Sequence, residues 1–333
     1  MDSISVVIPV YNAAPNLKEL YHALTTVLDK TVERYEIILV EDRGRDNSWD
    51  IIRELVQADS RVSGIRLRRN YGQHNALLCG IRAARYEIIV TMDDDLQHPP
   101  AEIATLLSKL AEGYDVVYGT PRQEQHGLWR DLASQLTKLA LSSTMGVEVA
   151  SKVSAFRAFR TELRDAFSEY RSPTVSIDVL LTWGTSRFAA VPVRHEPRRA
   201  GTSNYTLGKL ITHAFNLMTG FSTLPLQVAS FIGFGFTLFG FGILAYVLAR
   251  YFLNGAQVPG FAFLASIIAL FSGAQLFALG IIGEYIARIH FRTMERPPYV
   301  VGNYLSGDME KQLSFERGFT PDPTESKRLR VVD

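Results

Sequence analysis

The sequence predicts an α/β fold: a mostly parallel sheet covered by helices, then juxtamembrane helices and a two-helix membrane hairpin. Three observations predict it. Apolar, β-branched runs alternate with helical patterns through the first half. Those runs are apolar almost throughout, as in strands buried on both faces. Two long stretches near the C-terminus, 210–249 and 251–283, contain no Asp, Glu, Lys or Arg, and a spanning helix needs about 20 mostly apolar residues.

The elements follow in order. "ISVVIPV" (4–10), "YEIILV" (35–40), "VSGIRL" (62–67), "EIIVTM" (87–92) and "DVVYG" (115–119) read as strands. Segments near 15–28, 48–58, 73–84 and 100–112 read as helices. Repeated strand–helix units make a parallel sheet, which binds ligands beyond the carboxyl ends of its strands. Pro9, Tyr11 and Asn12 lie at the first such end, Glu41 and Asp42 at the second, Asp93 to Asp95 at the fourth. Neither the G-x-G-x-x-G fingerprint nor the Walker lysine loop is present. A stretch from "FRAFR" (156–160) to "FAAVPVRHEP" (188–197) adds helices and a strand.

The chain of 333 residues is longer than one core usually spans, so two units are expected. We expect a cytosolic domain over 1–200, a juxtamembrane amphipathic segment over 201–224, two transmembrane helices within 225–290 (226–249 and 261–283), and a cytosolic tail over 291–333. "NGAQVPG" (254–260) is the turn between the spans. Lys209 before the hairpin and Arg288, Arg292 and Arg296 after it place both ends on the cytoplasmic side. Arg250 at the opposite end runs against this, although an arginine can snorkel to the headgroups. A buried hairpin in a large soluble core is the alternative. Gly233, Gly235, Gly240 and Gly242 suit close helix contacts, within the hairpin or between copies in a homo-oligomer. A net charge of +1 gives no field for nucleic acid. The lone Cys79 cannot form an internal disulfide, which fits a reducing compartment.

"TMDDDLQHPP" (91–100) is the unusual motif, since three adjacent carboxylates repel and are costly to desolvate. In an extended strand Asp93 and Asp95 share a face while Asp94 points away. Two convergent carboxylates attract a hard divalent cation, Mg²⁺ or Mn²⁺. A helix cap is the alternative, with Pro99–Pro100 opening the next helix. His74 and His98 belong to no His/Cys cluster. Tyr71 and Gln73 read as support for the sheet edge, and Cys79, Trp129 and Trp183 as packing.

"VVIPVYN", "EDRGRDNS", "RRNYGQHNALLCGI", "TMDDDLQHPPAEI", "GYDVVYGTPRQ" and "RRAGTSNY" occur in this order. With the two spans they resemble the family-2 glycosyltransferases of GT-A fold that load a sugar onto polyprenyl phosphate. That group includes dolichyl-phosphate mannose synthases, the O-antigen-modification glucosyl transferases and the undecaprenyl-phosphate aminoarabinose transferases. The resemblance reaches to about Val301. It implies an inverting transferase on the inner membrane, serving cell-envelope glycan modification, with a nucleotide-sugar donor, UDP-linked as first choice, and undecaprenyl phosphate as acceptor. It implies Asp93, Asp95 and Gln97 on the metal. Pro9, Tyr11, Asp42, Asp93 and Asp94 would bind the nucleotide sugar. Arg122, Arg198, Arg199 and Ser203 would hold the acceptor phosphate. Asp95, Arg122, Arg130 and Arg198 would serve catalysis.

Four departures from the family pattern stand out. Its Y-N-E is Tyr11-Asn12-Ala13, and its D-D-G-S reads Glu41-Asp42-Arg43-Gly44. Its aspartate ahead of F-R is replaced in "SKVSAFR", where Ser151 and Ser154 stand. Its S-K-Y is Ser203-Asn204-Tyr205. Two other readings remain: a processive polysaccharide synthase of the same fold, and a catalytically inactive membrane scaffold.

Overall fold

The computed structural model describes residues 3–121, 153–196, 223–254 and 261–307. Strands β1 (Ser3–Val10), β2 (Arg34–Glu41), β3 (Val62–Leu67) and β4 (Ile88–Thr91) alternate with helices α1 (Ala14–Thr31), α2 (Ser48–Ala58) and α3 (Gln73–Ala83). Next come α4 (Ile103–Ala111), β5 (Val116–Pro121), β6 (Arg157–Arg160), α5 (Ile177–Leu181) and β7 (Phe188–Val193). Two long helices, α6 (Leu224–Asn254) and α7 (Phe261–Thr293), precede the last strand, β8 (Val301–Ser306).

The eight strands form one sheet in the order β7-β5-β6-β4-β1-β2-β3-β8. β1 pairs in parallel with both β2 and β4, β2 with β3, and β5 with β7. Two strands run the other way. β6 lies antiparallel between β4 and β5, and β8 closes the edge antiparallel to β3. The segment after the second apolar stretch, expected as part of a tail, is therefore an edge strand of the same sheet. Tyr299 is buried just before it, and Arg68 N donates to Val300 O at 2.9 Å.

All eight residues of β1 are buried, as its near-continuous apolar character requires. Ile4, Val6, Ile8 and Val10 face one core with Leu17, Leu20, Leu24 and Leu28 of α1, spaced at helical intervals. Val7 faces the opposite core with Ile38, Ile65 and α3. Gly80 permits α3 to lie close, because a Cβ there would collide with Val7 Cγ1.

Helices α6 and α7 pack on each other, with the rings of Phe236 and Phe271 at 5.6 Å and Gly240 giving room for Phe271. Their outer faces are uncovered: Phe231 is 76% exposed and Phe252 80%. The apolar windows of Pro225–Arg250 and Leu270–Thr293 are 0% buried. The core helices of a soluble domain are mostly buried, and these are not; both helices are long and apolar enough to cross a membrane.

Candidate active site

The strand order reverses at β1: the chain goes first to β2 on one side and later to β4 on the other. Such a switch point opens a crevice at the carboxyl ends of the strands. Here the opening has a visible cause. β1 stays paired with β2 through Val10, whereas its pairing with β4 ends at Val7↔Thr91. Pro9, two residues further, has no N–H to continue that ladder. The chains then part, and Met92 N still reaches Val7 O at 3.3 Å.

The three carboxylates stand at that opening. β4 stops at Thr91, so Asp93 to Asp95 belong to a turn, not an extended strand, and Leu96 has a left-handed φ of 61°. Strand alternation therefore does not set their directions; separate hydrogen bonds do. Asp93 Oδ1 accepts from Gln73 Nε2 at 2.6 Å, and Asp94 Oδ2 accepts from Tyr11 N at 3.1 Å across the crevice. Asp95 Oδ1 accepts from Gln97 N at 3.1 Å. Asp95 is buried and Asp93 and Asp94 are half-buried. Burial pushes Asp94 up to about 7, the charges of Asp93 and Asp95 add to this, and the Tyr11 N–H pulls it back. Gln73, read from sequence as sheet-edge support, sits inside the site.

On the β2 side, Asp42 is 3% exposed, and its two oxygens accept from Tyr71 N and Gly72 N, both at 2.7 Å. Burial pushes it up to about 6 despite those two bonds. Glu41 is also buried, with Arg66 Nε 2.8 Å from Oε2 and Gly44 N on Oε1. Its own side chain is thus engaged inward. The loops after β1 and β2 are stitched by Asn12 Oδ1 to Arg45 N at 2.7 Å and by Asp46 Oδ2 to Ala14 N at 2.9 Å. Arg43 has a left-handed φ of 55° and an exposed side chain. Tyr11 is 44% exposed beside these loops, leaving its ring open to a flat ligand.

Beneath the carboxylate turn lies a charged pair that sequence reading missed. Arg157 on β6 is 1% exposed and paired with the buried Asp178 of α5. Its Nε donates to Thr91 Oγ1 at 3.1 Å, and Tyr118 Oη donates to Asp178 Oδ1 at the same distance. The last residue of β4 is thereby fixed from below. The signal available was Arg157, the first arginine of "FRAFR", set between the apolar residues Phe156 and Ala158.

Gln97 faces the chain that leaves β7. Its Nε2 lies 3.3 Å from His195 Nε2 and 3.4 Å from Glu196 O. His98 stacks on Phe156 at 5.1 Å, and burial holds it well down, at about 4. Arg122, Arg130, Ser151, Arg198, Arg199 and Ser203 lie outside the described residues, as does the juxtamembrane stretch 201–222.

Residues 5–170 match the model of glycosyl transferase family 2. The undecaprenyl-phosphate 4-deoxy-4-formamido-L-arabinose transferase of Shewanella sediminis (strain HAW-EB3) is 37% identical over 314 residues, which is 93% of this chain and 95% of the relative. The chain belongs to glycosyl transferase family 2. This glycosyltransferase is also similar to solved structures at low identity. Glucosyl-3-phosphoglycerate synthase from Mycobacterium tuberculosis matches at 20% identity and TM-score 0.46, over 66% of this chain and 78% of that one. S. aureus TarS 1–349 matches at 15% and 0.44, over 67% and 73%.

Proposed function

We propose that the protein moves a sugar from a nucleoside-diphosphate sugar, UDP-linked as first choice, to undecaprenyl or a similar polyprenyl phosphate, with inversion. The observation that carries this reading is the carboxylate turn at the β1–β4 crevice in a chain that also carries an uncovered apolar hairpin. The extensive likeness to an undecaprenyl-phosphate sugar transferase supports it.

A divalent cation, Mg²⁺ or Mn²⁺, fits the donor set. Among the described residues no three His, Cys, Asp or Glu side chains form a metal cluster. Asp93, Asp95 and the Gln97 amide would hold the ion with donor phosphate oxygens completing its shell, as hard cations with few protein ligands require. Bound there, it would neutralise charge building on the leaving diphosphate. The other steps fall to the chain itself. Tyr11 and the Asp42-supported loop seat the nucleoside. Asp94, tied to Tyr11, keeps both lips of the crevice in register. Arg122, Arg130 and Arg198 are proposed to hold the phosphates, and Arg199 and Ser203 the acceptor head.

A polyprenyl monophosphate, like other phosphate monoesters, has a second pKa of about 6 and is largely ionised at neutral pH. Its oxygen attacks the anomeric carbon, the bond to the diphosphate breaks, and no proton need be removed. Ser151 and Ser154 then replace the family's aspartate without loss of a required base.

The proposed layout is a cytosolic domain over 1–200, a juxtamembrane segment over 201–224 and two spans within 225–290 of the inner membrane. The domain's last strand is supplied from beyond the hairpin. Among the described residues, a Cβ at Gly233, Gly235 or Gly242 would meet nothing within 4 Å, so these open positions are proposed to meet another copy. The test is to incubate membranes with a panel of labelled nucleotide sugars and undecaprenyl phosphate, then extract lipid. Label in an acid-labile lipid is expected. Label in polymer would indicate a processive synthase, and no label from any donor an inactive scaffold.

A further inference from the structure

We infer that Gln73 is a positioning residue for the cation-binding carboxylate Asp93, and that Asp42 fixes Gln73 in place. This inference rests on the cation site proposed above.

Gln73 is the first residue of α3, and the turn before it is unusually constrained. Gly72 has φ +93°, a conformation that favours glycine. Both oxygens of Asp42 accept the N–H groups of Tyr71 and Gly72, and Asn75 Nδ2 donates to Tyr71 O at 2.6 Å. Asn75 N and Ala76 N both return to Gly72 O at 3.1 Å. The point from which the Gln73 side chain departs is thus fixed. From there its amide donates to Asp93 Oδ1 at 2.6 Å. The nitrogen must be the donor, since an ionised carboxylate accepts and cannot give.

An aspartate's terminal torsion is broad, so a half-buried carboxylate in a turn has no intrinsic orientation. The strong bond to Oδ1 helps to select one. The lone pairs that remain can then converge with Asp95. Groups that orient a metal-binding side chain in this way typically contribute 10- to 100-fold to metal affinity. A surface amide–carboxylate pair without this role would contribute a little stability and nothing to cation binding. The relay also joins distant strands: Asp42 follows β2 and Asp93 follows β4, with β1 between them.

The test uses the full chain in lipid nanodiscs. Mn²⁺ binding is read by loss of the free-ion EPR signal, with and without uridine diphosphate as probe. Gln73→Leu keeps the bulk and removes the donor; Gln73→Asn keeps the chemistry and shortens the reach. Both are expected to weaken Mn²⁺ binding 10- to 100-fold while the melting temperature stays within about 2 °C. Should Gln73→Leu disturb folding, the Gln73→Asn variant still answers. Binding within twofold of wild type in the folded variant, or no Mn²⁺ binding by the wild type, would overturn the inference. If the Mn²⁺ difference persists while no donor supports sugar transfer, the proposed reaction falls and the role of Gln73 stands.

Discussion

Gln97 and Glu196 are joined twice: Glu196 N donates to Gln97 O at 2.8 Å, and Gln97 Nε2 donates to Glu196 O at 3.4 Å. Through this pair the carboxylate turn is fastened to the chain that runs on toward Arg198. Gln97→Ala leaves the backbone bond and deletes the side-chain one. Transfer is expected to fall about 10-fold, with the KM for lipid acceptor rising as well as the metal requirement; each side-chain bond of this kind is worth about 1 kcal/mol. Initial rates against acceptor and Mn²⁺ concentration check this. A change confined to the metal would detach Gln97 from the acceptor side.

Asp95→Asn should be far more severe while folding normally. The amide oxygen can still accept from Gln97 N, but one charge leaves the cation site. Transfer is expected to drop at least about 100-fold, in line with an interaction of roughly 3 kcal/mol or more. Excess chelator should silence the wild type equally. Full transfer in chelator would remove the cation from the reaction.

Ser154 Oγ accepts from Phe156 N at 3.2 Å, a local bond that shapes the approach to β6. Ser154→Ala should therefore cost some stability, about 1 kcal/mol, and leave most activity. Arg198→Ala should lose roughly 10- to 100-fold, since a charge-assisted bond to phosphate is worth about 1.5–3 kcal/mol. Equal inactivity of the two variants across pH 5.5 to 8.5 would give the serine a chemical role.

Arg43 occupies a left-handed conformation at the position where the family pattern has glycine. Such a conformation costs a non-glycine residue about 1–2 kcal/mol, partly offset by the greater chain entropy that glycine loses on folding. Arg43→Gly should stabilise the protein by about 0.5–1 kcal/mol in denaturant melts. A rise in donor KM in the same variant would show what the strained arginine contributes; lower stability would contradict the strain.

Asp42 gives a pH signature. Its folded pKa, raised to about 6 from an ordinary 3.8, favours the protonated form. Its contribution to stability is complete below pH 3.8 and is lost as pH rises through 6. The shift corresponds to at most about 3 kcal/mol. The stability of wild type relative to Asp42→Asn should therefore decline between about pH 4 and pH 7. A flat profile over that range, with the change falling below about pH 4 instead, would show that the two N–H bonds outweigh burial.

Much of this fold is legible in sequence because the responsible signals are local. Runs such as "YEIILV" and the uncharged stretches carry their own burial requirement. What escapes notice depends on distant partners. β6 is four residues long, and nothing in "RAFR" announces that it inserts antiparallel between β4 and β5. "VGNYLS" reads as part of the tail until β3 provides its ladder. At the site, the motif located the carboxylates, but the inference from strand alternation failed because β4 ends before them. Gln73 and Asp93 are twenty positions apart, and Arg157 and Asp178 twenty-one. Such meetings follow from topology, which spacing alone does not specify.

β8 also has a consequence for biosynthesis. The edge of β3 is made early, but the strand that covers it emerges roughly 240 residues later, after both apolar helices. At about 5–20 residues per second, that edge stays open for on the order of 10–50 s. An uncovered edge invites pairing with other chains. Both apolar helices must therefore leave the ribosome before the catalytic sheet can be completed. A chain cut short in that interval keeps a sticky flank, and chaperones and proteases can recognise it as unfinished.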